Sequence, residues 1–144
     1  MDDFNISLLV ESKNEWSSRL VYLLTPCIID GFKSIYNESI SECKREEEIE
    51  KYLMTFQNFL TAIPRWSPEI INNEVNNIKE KSKCDYIEDL ITCVHITYLK
   101  SLTSSRVGTS QKKIDIDIPD LNSFIHQIYI NTARKIYSNI YLYE

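Results

Sequence analysis

Chemistry in this chain has few carriers. His95 and His126 are the two histidines, and Cys27, Cys43, Cys84 and Cys93 are the four cysteines. A nucleophilic thiol needs a base within hydrogen-bond reach. Cys93 and His95 are two positions apart, and on a helix turning about 100° per residue they point about 200° from one another. They cannot act as a pair. Cys27 or Cys43 could meet a histidine only through the fold, and the plainer reading of each histidine is a packing residue with one backbone partner. No C-x-x-C spacing is present, so zinc is not indicated, and the thiols read as small, reduced hydrophobes on helices. Asp115, Asp117 and Asp120 form an oxygen-rich group, but a calcium loop of the EF-hand type needs a glycine at its sixth position and a distal glutamate, which are missing. Alternation instead puts Asp115 and Asp117 on one face of an extended segment whose isoleucines cover the core. Glycine-rich phosphate loops, nucleophile elbows and H-E-x-x-H are also missing. The sequence therefore predicts no cofactor, no metal and no enzyme.

Recognition has better candidates. Lys100, Arg106, Lys112 and Lys113 form the only stretch with four basic residues and no acid, a composition that suits a phosphate, an acidic partner or simply a solvated loop. No aromatic residue lies between Arg106 and Lys113 to stack on a base. The net charge of −5 and pI near 5.1 set the whole-protein field against nucleic acid and anionic membrane. Trp66 stands beside Arg65 and between Pro64 and Pro68, the composition of an interface hot spot. It reads more readily as a plug over the core, because large aromatics in short helix connectors usually bury. The candidate interaction surface is accordingly Arg65, Trp66, Arg106, Lys112, Lys113, Asp115 and Asp117.

Helices must position these residues. With 144 residues, 43% of them apolar, the chain predicts a single domain over 1–144 with no need of a staple. Apolar residues at Leu20, Leu23, Leu24, Cys27, Ile28, Gly31 and Ile35 predict a first helix from about Val10 to Ser41, kinked or broken at Pro26. Ile6 to Val10 is either a further helical turn or a short strand. Ile49, Leu53, Phe56, Leu60 and Ile63 predict a second helix with Glu46, Glu47 and Glu48 in its first turn, ending before Pro64. Ser67 as N-cap and Pro68 at the first position predict a third, carrying Ile71, Val75 and Ile78 and ending among Lys79, Lys81 and Lys83. Asp85 and Glu88 suggest a capping box for a fourth, whose face is Ile87, Ile91, Val94, Tyr98 and Leu102. Ile114 to Ile118 predicts an extended strap, and a fifth helix follows from about Asp120 to Ser138 on Leu121, Ile125, Ile128, Thr132 and Ile136. The aromatic end from Tyr137 to Tyr143 is expected to pack. The fold class predicted is an all-α, irregular bundle of about five helices with a short extended strap before the last.

The start, Met1-Asp2-Asp3-Phe4-Asn5, has acid where a signal peptide needs base, and no run approaches the roughly 18 apolar residues of a membrane span. A reducing cytosol is the expected compartment. Isoleucine dominates the apolar set while alanine and arginine are scarce, a bias expected of an AT-rich genome.

Several stretches carry a resemblance over nearly the whole chain. They are Leu9-Val10-Glu11-Ser12-Lys13-Asn14-Glu15, Phe56 to Leu60, Ile63-Pro64-Arg65-Trp66, Lys83 to Thr92, Lys112 to Pro119, Phe124-Ile125-His126 and Ala133-Arg134. In order and spacing they resemble a family of uncharacterised proteins from nucleocytoplasmic large DNA viruses, the giant viruses. The resemblance implies a viral protein in the host cytoplasm or the virion, with other viral proteins as partners, and supplies no catalytic residues. The function expected is a non-enzymatic structural or protein-interaction module, a virion component or assembly factor. The alternative is a nucleic-acid-associated factor in viral transcription or genome packaging that uses Lys100, Arg106, Lys112, Lys113 and Arg134. A Bcl-2-like host-defence antagonist also fits the size, but the Asn-Trp-Gly-Arg motif of that fold is missing.

Overall fold

The computed structural model describes residues 2–104 and 117–144, with side chains described over 7–103 and 117–144. Five α-helices follow in order: α1 (Asp2–Arg45), α2 (Tyr52–Ala62), α3 (Pro68–Ser82), α4 (Ile87–Ser104) and α5 (Leu121–Ser138). Short 3-10 turns cover Ile49–Lys51, Ile63–Arg65 and Ile140–Tyr143, and no strand occurs among the described residues. The chain is thus an irregular all-α bundle.

Its organising element is α1, whose 44 residues span about 66 Å at 1.5 Å per residue. It packs against α2, α3 and α4 in turn, while α5 closes the bundle over α2 and α3. The buried face of α1 carries Leu20, Leu24, Cys27, Ile28 and Phe32. Helix extends back through Leu8, Leu9 and Val10, which decides for the additional turns over the strand. It also runs unbroken through Pro26, which excludes the break among the two outcomes, kink or break, expected there. The reason is position: Pro26 is on the solvent side, so the Tyr22 carbonyl that loses its donor can be served by water.

The turn out of α1 is built differently from the sequence expectation. Glu46 to Glu48 do not form the first turn of a helix; they close α1. Glu47 adopts the left-handed conformation at φ 59°, its N–H donates to the Lys44 carbonyl at 3.3 Å, and the Glu48 N–H donates to the Cys43 carbonyl at 2.9 Å. That pair of bonds is the Schellman arrangement, with a glutamate where glycine is usual. Ile49, placed in the 3-10 turn, is exposed rather than buried.

The remaining caps largely follow the residues. Pro64 ends α2, the Ser67 hydroxyl accepts the Ile70 N–H at 3.4 Å to start α3, and Lys79 and Lys81 lie in the last turn of α3. Asp120 caps α5 by accepting the Ser123 N–H at 2.7 Å, which holds its carboxyl below the usual aspartate range. At α4 the first backbone bond runs from the Leu90 N–H to the Tyr86 carbonyl at 2.9 Å, so Tyr86 takes the cap position expected for Asp85. Ile87, Leu90 and Ile91 are buried, but Tyr98 and Leu102 leave the core. In α5 the buried seam is Leu121, Ile125, Tyr129 and Ala133, with Ile128 and Ile136 only packed beside it. Of the strap, residues 114–116 lie outside the described residues; Asp117 to Asp120 lack regular structure, and Ile118 is half-buried. Tyr143 packs on Tyr36 and Phe56 at ring separations of 5.8 and 5.4 Å, whereas Tyr141 and Leu142 are exposed.

Candidate functional site

The predicted recognition residues do not come together in one described surface. Arg106, Lys112, Lys113 and Asp115 lie outside the described residues, Asp117 is exposed ahead of α5, and Arg65 is exposed in its 3-10 turn. Trp66 turns inward. Its ring stacks on His126 at 6.2 Å and 11° and lies 5.2 Å from the ring of Tyr129, so it plugs the junction of α2, α3 and α5.

The histidines are packing residues. A carbonyl only accepts, so His126 Nε2 donates to the Ile63 carbonyl at 2.8 Å and His95 Nδ1 donates to the Ile91 carbonyl at 2.9 Å. The first bond ties α5 to the end of α2; the second stays within α4, where the His95 ring meets Phe124 edge-on. Cys27 donates to the Leu23 carbonyl at 3.4 Å and Cys43 to the Thr55 hydroxyl at 3.2 Å. Burial pushes the Cys27 thiol up, with Lys81 opposing in part. Among the described residues no group of His, Cys, Asp and Glu could hold a metal ion, and no helix is long and apolar enough to cross a membrane.

One buried polar pair stands out in the core. Tyr129, 1% exposed, donates from its hydroxyl to Glu74 Oε2 at 2.7 Å while its ring stacks on Phe32 at 5.2 Å. Burial first, and the carboxylate second, raise the phenol well above its ordinary range, so it keeps the proton that it donates to Glu74. Gly31 on α1 makes this possible, because a Cβ there would overlap the Tyr129 hydroxyl and stand 3.0 Å from Cζ. A small cavity of about 70 Å³ beside the pair is bounded by Asp30, Asn77 and Lys81, with Lys81 Nζ bonded to Asp30 Oδ2 at 3.1 Å. This is a structural lock between α1, α3 and α5.

The open surface is elsewhere, on the outer side of α1. Tyr22 is 74% exposed and Val21 62%, and Trp16, Ile29 and Tyr86 are also substantially exposed. Two shallow grooves meet at Tyr22. One, of about 780 Å³, runs between α1 and the start of α4 and includes Trp16, Arg19, Tyr86 and Leu90. The other, of about 460 Å³, follows α1 past Val21, Thr25, Pro26 and Ile29. Arg19 is held at the lip of the first by donating from Nη2 to the Tyr86 hydroxyl at 2.9 Å, a bond that also favours its charged form.

Sequence reasoning did not find this face. The signal was a remainder: Leu20, Leu24, Cys27 and Ile28 satisfy the buried stripe of α1, with Leu23 packed beside them, and Val21, Tyr22 and Ile29 are large apolar residues that the same helical period sends outward. A contiguous apolar patch rimmed by charge is the ordinary signature of a protein contact.

Fold and surface together define a class, an all-α bundle built on one long helix with an apolar outer face. The chain belongs to a family of unknown function, DUF5764, whose family model matches residues 6–144. No curated protein and no solved structure matches it.

Proposed function

We propose that the chain is a non-enzymatic protein-interaction module, serving as a structural component or assembly factor of a virus particle in the host cytoplasm or the virion. The observation that carries the interaction reading is the exposed apolar face of α1, where Trp16, Val21, Tyr22 and Ile29 join across two grooves. Tyrosine and tryptophan in such a patch give large contact area at small entropy loss, which is why they anchor interfaces. The viral setting rests on the resemblance carried by segments such as Lys83 to Thr92 and Lys112 to Pro119.

The test is recovery of partners with the full chain from cells that express it, comparing wild type, Tyr22→Glu and Tyr141→Glu. Tyr141 is an exposed tyrosine away from the grooves and serves as the control. Loss of specific partners with Tyr22→Glu alone, together with enrichment of the protein in purified particles over infected-cell lysate, is the expected result. Equal recovery by all three proteins refutes the interaction reading, and absence from particles and their assembly intermediates refutes the viral role.

A further inference from the structure

We propose that the outer face of α1 receives a second copy of this chain, the two α1 helices lying antiparallel about a two-fold axis near Leu24 and Thr25. The proposal rests on the interaction reading above and names its partner. Glu15, Tyr22 and Ile29 recur every seven residues, as do Arg19, Pro26 and Lys33, so they form one stripe about five turns and 27 Å long. The apolar centre of that stripe is Tyr22, Pro26 and Ile29, and its ends are charged in a particular order. Glu15 and Arg19 occupy the N-terminal end, Asp30 and Lys33 the C-terminal end, and all four are exposed.

That order is self-complementary in one orientation only. An antiparallel copy sets Glu15 against the partner's Lys33 and Arg19 against the partner's Asp30, both twice by symmetry, with Tyr22 over the partner's Pro26. Residues on the same flank of two antiparallel helices meet one another, as Arg19 and Asp30 do, while Glu15 and Lys33, five turns apart on the middle of the stripe, face each other across the seam. A parallel two-fold pairing would instead face Glu15 with Glu15 and Lys33 with Lys33. Asp30 already binds Lys81 through Oδ2, and its second oxygen can accept a further cation. The Tyr86 hydroxyl holds Arg19 at the edge of the groove, which limits the side-chain ordering that pairing requires.

The experiment is sedimentation velocity of the full chain from micromolar to several hundred micromolar concentration, with far-UV circular dichroism as a check on folding. Wild type should associate to a dimer, and Tyr22→Glu should weaken it by more than tenfold. Glu15→Lys and Lys33→Glu should each weaken the dimer by about threefold to tenfold, as expected for a rim ion pair lost twice, and the double variant should recover wild-type affinity. A monomer at every concentration, or a dimer indifferent to Tyr22→Glu and to the charge exchange, overturns the proposal. Neither result touches the interaction reading itself, which falls only if Tyr22→Glu also leaves the recovery of other proteins unchanged.

Discussion

Replacing Gly31 with alanine sets two effects of opposite sign against each other. Gly31 lies in the interior of α1, where helix propensity alone favours alanine by about 0.8–1.0 kcal/mol. The added methyl, however, would overlap the hydroxyl of Tyr129 and press on its ring. That ring cannot swing aside: it is fully buried, stacked on Phe32, flanked by Trp66 and bonded to Glu74. Overpacking of this kind costs about 1–3 kcal/mol, and a hydrogen bond to a carboxylate that must break adds about 1.5–3 kcal/mol. The net expectation is destabilisation by about 1.5–5 kcal/mol, a fall in Tm of roughly 5–17 °C for a chain this long. Urea unfolding followed at 222 nm would measure it, with Tyr129→Phe as the second arm of a double-mutant cycle. Removing the hydroxyl relieves the overlap, so Gly31→Ala should cost at least about 1 kcal/mol less in that background. A Gly31→Ala protein that is more stable than wild type, as propensity alone dictates, would refute the lock.

Three other outcomes follow from the fold. Trp66→Ala should destabilise by about 3 kcal/mol, the low end for a core tryptophan because the ring is half-buried, and in a Trp16→Phe background its emission should be blue-shifted; an exposed, quenchable Trp66 would make it an interface anchor instead. Glu47→Gly should stabilise by about 1 kcal/mol in thermal unfolding by relieving a left-handed backbone, and an unchanged Tm would mean that the Schellman turn is not held there in solution. Duplex or single-stranded nucleic acid should bind weakly and with steep salt dependence in filter or anisotropy assays; submicromolar binding at physiological salt that Lys112→Glu with Lys113→Glu abolishes would establish the nucleic-acid reading.

Helix boundaries were legible where a residue's backbone chemistry leaves little choice. Pro64 ends α2, Ser67 and Pro68 start α3, and Asp120 caps α5. Errors arose where the environment decides. Pro26 reads as a kink or a break, and on the solvent side of a long helix its missing donor is tolerated without a break. Glu46 to Glu48 read as a helix start through their charge, although the turn uses one of them for its backbone. In α5 the sequence holds apolar residues on more than one face, and only tertiary packing selects Tyr129 and Ala133 over Ile128 and Ile136. The same excess hides the outer face of α1: Val21, Tyr22 and Ile29 are as apolar as their buried neighbours, and periodicity places them outside without saying what they meet. Trp66, which the sequence offers both as a plug and as part of an interaction surface, packs its ring on Tyr129 and His126, since a tryptophan between two prolines at a helix corner has a core within reach.

If the outer face of α1 is the working surface of the protein, its side chains must be covered where the protein acts. Hydroxyl-radical footprinting would reveal that cover, comparing the chain as it is assembled in the cells that express it with the same chain purified and diluted. Tyr22 and Ile29, open in the free chain, should be strongly protected in the assembled state while the exposed Tyr141 and Leu142 stay labelled. Equal labelling of Tyr22 in both states, with protection appearing at the far end of the molecule, would contradict it.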